Sequence, residues 1–299
     1  MSNLVRFSFP VILAALFVPA SALSQGALGF DIYLVSVDEK NGVLEFGKPN
    51  KITDREGYDN QPSFTADGRG ILYTSNREGQ TDIYRYYIRT GATRQVTQTN
   101  PESEYSAAVI PSGDAFSAVR VEPDSTQRLW QFNMDGSGAR VVLTEIMPVG
   151  YYAWGDDDTI GLFVLANAET PLSTMQIADT RSGRATIIAY GVGRSIHKVP
   201  GRNAISFTHR IPELWIKEVD LEHHTVTPLI QLLDGNEFYA WLPDGSAITA
   251  QGSKLFRWDR ERGTEWQEVA DFADRGIESI SRLTVSPEGD RLAMVVARQ

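Results

Sequence analysis

No cysteine occurs anywhere in the 299 residues. That absence removes disulfides, thiolate metal ligands, thiol nucleophiles and a lipidated N-terminal cysteine from consideration. Histidine is scarce as well, at His197, His209, His223 and His224, whereas a catalytic metal centre usually converges three or four ligands. The adjacent pair His223 and His224 would face opposite ways on a strand, so no metal and no cofactor is expected. Basic residues are outnumbered, 28 against 38 acidic, for a formal charge of −10. Such a surface repels phosphate backbones and anionic lipid, which argues against nucleic acid and membrane-surface binding. There is no Gly-x-Ser-x-Gly nucleophile elbow. The Gly-bearing run at Asp135, Gly136, Ser137 and Gly138 has no helix behind it to cradle a phosphate.

Long apolar runs are missing too, apart from one near the start. Arg6 precedes the apolar stretch from Phe9 to Ala20, and small residues follow at Ala20, Ala22 and Ser24. This is the three-part pattern of a secretory signal peptide over residues 1–24, cleaved after Ala22 or Ser24. The alternative is an N-terminal anchor, although the run is short for a bilayer. With the leader removed, the expectation is a single exported domain over 25–299 that does not insert into the membrane.

What the chain does have is a repeat. The stretch QPSFTADGRGILYTSNREGQTDIYRYYIRTGATRQVT, from Gln61 to Thr97, reads as four short strands separated by Asp67-Gly68, a Gly-bearing loop and Thr90-Gly91. Asp-Gly is a strong hairpin signal because Gly accepts a positive φ without steric cost. Taking Phe64 as a mark on the innermost strand, the equivalents are Val109, Trp154, His197, Trp241 and Val285, at spacings of 45, 45, 43, 44 and 44. A second track follows on the third strand at Ile83, Leu129, Met175, Leu214 and Leu255. Fixed spacing of this length, with four strands per unit, predicts an all-β propeller. The last repeat, from Leu283 to Ala297, supplies only two strands, and Phe30 to Thr53 supplies the missing third and fourth. The prediction is six blades of four antiparallel strands, the last shared between the two ends of the chain, which leaves no open edge for aggregation.

The segments PSFTADGRGILYTSNREGQTDIYRYYIRTG and AWLPDGSAITA resemble the repeat of TolB-like propellers, a WD-like family. The resemblance runs from about Phe30 to the C-terminus and covers the propeller only. TolB's separate N-terminal α/β domain has no counterpart in the sequence, so its partner interactions do not transfer. The resemblance implies a six-bladed fold and is weak for function, because such propellers serve as scaffolds, sensors and partner domains of enzymes.

Turn aspartates (Asp67, Asp244 and the run Asp156 to Asp158) fall where a hairpin falls in each repeat, and no EF-hand spacing accompanies them. Arg77, Arg210, Lys254 and Arg298 lie thirteen places after the strand marks. They form either a cationic ring or a set of pairs with acidic neighbours. The most informative set lies where the innermost strands begin: Tyr58, Asn60, Glu104, Tyr105, Tyr151, Arg194, Glu237, Phe238 and Arg282. Aromatic, arginine and acidic residues at loop ends over a rigid scaffold are what recognition surfaces use. The competing reading is that they plug a channel. The favoured function is noncatalytic binding of a protein or peptide partner in the cell envelope by a monomer. The alternatives are a channel enzyme for a carbohydrate or sugar acid, and a sensor of small anions.

Overall fold

A computed structural model describes residues 29–298. The expected leader lies outside the described residues. Six antiparallel blades of four strands stand in a ring, the sixth with an added short strand Asn50–Lys51 against Phe30–Lys40, and the one helical element among the described residues is a single 3-10 turn, Ala273–Arg275. Blades are numbered here from the first complete one. Their innermost strands are Asp59–Phe64, Ser103–Val109, Val149–Trp154, Val192–Lys198, Tyr239–Trp241 and Ile280–Val285. All six strand marks read from the sequence lie on these strands.

Blade 6 is closed by both ends of the chain, as the sequence predicts. The strand Phe30–Lys40 pairs antiparallel with Arg291–Ala297, in register from Phe30 opposite Ala297 to Ser36 opposite Arg291. Its outer partner is the hairpin strand Val43–Phe46, reached through Asn41 and Gly42, with φ of 55° and 81°. Positive φ at both turn positions fits the twist of a two-residue hairpin. An ion pair seals the join: Arg298 donates from Nε and Nη2 to the two oxygens of buried Asp31, at 2.6 and 2.8 Å.

Packing explains why the second strand of a blade reads as a continuous apolar run. A blade stacks on neighbours through both faces, so Gly70–Arg77 and Ala115–Val121 are buried over six consecutive residues. The outermost strands, such as Ala92–Gln95, are largely exposed. The buried apolar residues fall into six clusters, each joining two adjacent blades. The cluster between blades 6 and 1, with Ile32, Ala293 and Val295 against Phe64, Ile71 and Tyr73, is built like the others. The ring therefore closes by the hydrophobic burial that stacks the other blades.

Polar ties add register between blades. In blade 3, Tyr152 Oη and Trp154 Nε1 donate to the carbonyl and the hydroxyl of Ser117 in blade 2, at 2.5 and 2.9 Å. In blade 5, Tyr239 Oη and Trp241 Nε1 both donate to Ser206 Oγ in blade 4, at 2.7 and 2.8 Å. A Tyr-x-Trp step thus buries its rings and still satisfies its polar atoms on the preceding blade.

The turn aspartates are occupied by their own turns. Asp67 Oδ1 accepts from Thr65 Oγ1 at 2.6 Å and from the Arg69 amide at 3.1 Å. Asp156 Oδ1 accepts the amides of Asp158 and Thr159 at 2.9 and 2.7 Å. His223 and His224 are not on a strand: they form the turn after Trp215–Asp220, where Asp220 Oδ1 accepts the His223 amide at 2.7 Å. Adjacency on opposite faces of a strand is therefore not what separates them from His197.

Candidate functional site

Five of the six innermost strands carry a register shift near the same end of the central channel. The shifts fall between Asn60 and Ser63, Tyr105 and Ala108, Val149 and Tyr151, Val192 and Ile196, and Ile280 and Leu283. A bulge of this kind bends its strand and re-aims a side chain. The residue three places before each strand mark is Gln61, Ser106, Tyr151, Arg194, Phe238 or Arg282, one from each blade; five lie in or beside a shift, and Phe238 directly precedes the regular strand Tyr239–Trp241. All six line one central cavity of about 470 Å³, within the range of small-ligand sites. Gln61 and Ser106 pass through φ of 55° and 54° to get there, a conformation that costs a non-glycine residue about 1 kcal/mol or more.

The ring is knit across the channel. Arg282 of blade 6 donates from Nη2 to Tyr151 Oη of the opposite blade 3 at 2.9 Å. Its guanidinium lies 4.0 Å from the centroid of Phe238 and 5.0 Å from that of Tyr151, inside cation–π range. Arg194 lies 5.1 Å from Phe238. On the other side Gln61 Oε1 accepts from the Ser106 amide at 3.0 Å and from Thr74 Oγ1 at 2.8 Å.

The nine residues read from the sequence divide accordingly. Tyr151, Arg194, Phe238 and Arg282 meet at the channel mouth. Tyr58 joins them at its edge, its hydroxyl within the electrostatic reach of Arg282, Tyr151, Tyr105 and Arg194, while burial pushes its ionisation up. Tyr105 is half-buried, with its hydroxyl 3.5 Å from Thr81 Oγ1. Glu237 supports the ring from behind: it accepts from Arg194 and, at 3.1 and 2.5 Å, from Arg210. Burial alone would raise its pKa, but the Arg210 hydrogen bonds and the Arg194 charge outweigh it and hold the carboxylate below its usual range.

Asn60 and Glu104 do not reach the mouth, contrary to their selection as rim residues. Asn60 is buried, and its Oδ1 accepts the Gln61 amide at 2.7 Å, bracing the bulge. Glu104 is fully buried, with Arg120 Nε at 2.9 Å and Thr99 Oγ1 at 2.6 and 2.7 Å from its two oxygens. The bulge is the reason: both precede the shift in their strands, and Glu104 stays paired with Arg120 of the next strand while Ser106, two residues on, reaches the channel. Gln61 and Ser106 were passed over because neither is aromatic or charged. Subtracting three from every strand mark, in every repeat, finds them.

The cations spaced thirteen after the marks do not form a ring on the channel. Arg210 holds Glu237, Lys254 lies 2.7 Å from Glu268 and Arg298 holds Asp31, while Arg77 stacks 3.9 Å over Tyr84.

One further contact in the channel has the look of a catalytic pair. Ser195 Oγ lies 2.9 Å from His197 Nε2. Ser195 is 3% exposed and also receives the Tyr239 amide at 3.5 Å. Burial lowers the His197 pKa from 6.5 to about 4, which makes it a feeble base at neutral pH. Its ring packs edge-on against Tyr239, with centroids 4.8 Å apart. Both residues lie on one strand of blade 4, and their contacts with Tyr239 tie it to blade 5. Among the described residues no three His, Asp or Glu side chains group as metal ligands.

Comparison with known proteins places the fold. No protein-family model matches the chain. A curated relative, an uncharacterized protein of Agrobacterium fabrum, is 28% identical over 95 residues, which span 32% of this chain and 30% of that protein. Among solved structures, the putative TolB of Agrobacterium tumefaciens superposes with a TM-score of 0.70 at 16% identity, covering 90% of this chain and 98% of that one. TolB of Acinetobacter baumannii gives 0.57 at 13% identity, covering 90% of this chain and 64% of that one.

Proposed function

We propose that this chain, which has the six-bladed propeller fold of TolB, is a noncatalytic binding or scaffold protein of the cell envelope that engages a protein or peptide partner at the channel mouth. The observation that carries the reading is the ring: six blades each deliver one side chain to a single opening, and four of the six are aromatic or arginine. Residues of those types, fixed on a rigid support, dominate binding energy at interfaces. The cavity of about 470 Å³ is too small for a folded domain and suits a short extended segment or a loop tip. The leader pattern in residues 1–24 and the likeness to TolB favour an envelope location.

The test is affinity capture from an envelope extract with the tagged protein and with Tyr151→Ala, Arg194→Ala and Tyr105→Ala. Each substitution should weaken capture, at about 2 kcal/mol for a central anchor, with the thermal midpoint nearly unchanged. Undiminished capture beside a large fall in midpoint would show the ring to be channel packing. Sequencing of the exported protein should return Leu23 or Gln25 as its first residue; an intact Met1 would overturn the location.

A further inference from the structure

We infer that the channel mouth is a carboxylate site, with Arg282 as the residue that receives the anion. The inference rests on the peptide-binding reading for the source of the carboxylate and on the ring geometry for its chemistry. In a protein of formal charge −10, the charged residues lining the cavity are Arg194, Lys198 and Arg282, with no aspartate or glutamate among them. Around the mouth itself stand three guanidiniums, those of Arg194, Arg210 and Arg282, and the carboxylate that pairs with two of them is Glu237. Glu237 is spent on Arg194 and Arg210. Arg282 has no carboxylate partner among the described residues.

Arg282 is held nonetheless. Phe238 and Tyr151 flank its guanidinium and Tyr151 Oη takes one of its hydrogens. A guanidinium carries five N–H donors in a fixed plane, and the rest find no protein acceptor among the described residues. The result is a pre-oriented cation on the channel lining, fixed by aromatic faces that leave its charge uncompensated. A planar, singly charged anion matches it, since guanidinium and carboxylate meet through two parallel hydrogen bonds. A phosphate dianion would call for a second cation beside Arg282; Arg194 is committed to Glu237, and Lys198, the other cation of the lining, stands one residue past the strand mark His197 rather than at the level of the ring three places before it. Beneath the ring, Ala108, Ala153 and Trp154 offer apolar wall, which suits the last side chain of a polypeptide whose terminal carboxylate has reached Arg282.

Calorimetric titration of the purified full chain tests this. The probes are an N-acetylated tripeptide of two alanines and a C-terminal phenylalanine, as free acid and as amide, together with acetate. The free acid should bind at least about tenfold tighter than the amide, the scale of one charge-assisted hydrogen-bonded pair. Arg282→Gln should bring the acid down to the level of the amide, and Arg282→Lys should recover part of the difference. The thermal midpoint of each variant checks that the ring still folds. Acetate competing as well as the tripeptide would support the carboxylate site and overturn a polypeptide as its source. Equal affinity for acid and amide, or no binding of the acid at millimolar concentration, would overturn the inference. Capture of an envelope polypeptide that survives Arg282→Gln and is not displaced by the acid would also overturn it, while leaving the binding reading in place.

Discussion

Removing the Glu104 carboxylate separates a binding role from a structural one, because its surroundings predict a large effect on stability and none on binding. Glu104 is fully buried and its partner Arg120 is 7% exposed. The Arg120 guanidinium is clasped over Trp130 and Phe132, at 4.4 and 5.0 Å from their centroids, and its Nη2 already lacks a hydrogen-bond partner. In Glu104→Ala this cation keeps its burial and loses its anion, and it has no path to water without unstacking two rings. Stripping one partner from a buried pair costs about 3–5 kcal/mol. At about 2–4 °C per kcal/mol for a domain of this size, the midpoint should fall by roughly 6–20 °C. Glu104→Gln should cost less. It can still pair with Thr99 and accept one bond from Arg120, and it avoids the desolvation that pushes the Glu104 pKa up. Thermal unfolding of the three proteins at neutral pH, beside the capture assay, gives the answer. A midpoint within about 2 °C of wild type, or capture lost while the midpoint holds, would refute the reasoning and return Glu104 to the rim.

The join in blade 6 and the half-buried His197 make two further predictions. Arg298→Ala should cost about 2 kcal/mol, softened because Lys51 remains 2.8 Å from Asp31, and deletion of residues 30–53 should give insoluble or oligomeric protein; a well-folded monomer from that deletion would contradict closure. For His197 the folded pKa of about 4 lies below the ordinary 6.5, so between these values the unfolded chain binds a proton that the native state does not. Stability should therefore be flat in this contribution above pH 6.5 and fall as pH drops towards 4, by about 1–3 kcal/mol. His197→Gln should flatten the difference curve in urea titrations across that window, and parallel curves for the two proteins would sink the assignment.

Most of the architecture was readable because a propeller writes it several times. Asp67-Gly68, Asp244-Gly245 and Glu288-Gly289 all sit at turns where a positive φ is needed, and a turn repeated at one spacing is harder to mistake than a single one. Even the shared blade could be read, since Phe30 to Thr53 continued the pattern that Ala297 left unfinished. The side-chain directions were another matter. Strand alternation from Phe64, which is buried between blades 6 and 1, puts Gln61 on the opposite face, but not how far up the channel it reaches; the bulge between Asn60 and Ser63 shifts that part of the strand. A bulge leaves no fixed residue type in the sequence. Glu104 and Asn60 were drawn to the rim by the same omission, being counted with neighbours whose strand had shifted.

That same local irregularity links fold to function here. A regular inner strand would line the channel with alternate residues and offer its small mid-strand side chains, such as Ser63, Ala108 and Ala153, to a ligand. The bulges interrupt this at one level, where the larger residues Tyr151, Arg194 and Arg282 join the lining, with Phe238 entering just ahead of its regular strand. Holding Gln61 and Ser106 in a left-handed conformation costs about 1–3 kcal/mol each, offset by the hydrogen bonds from the Ser106 amide and Thr74 to Gln61 and from Tyr152 Oη to the Ser106 carbonyl at 3.0 Å. Blade stacking by itself does not require that strain, since the apolar clusters between blades form from other residues on either side of it. What the strained positions secure is the Gln61–Ser106 side of the ring, while Tyr151 and Phe238 fix the place of one unpaired guanidinium, Arg282, in an acidic protein.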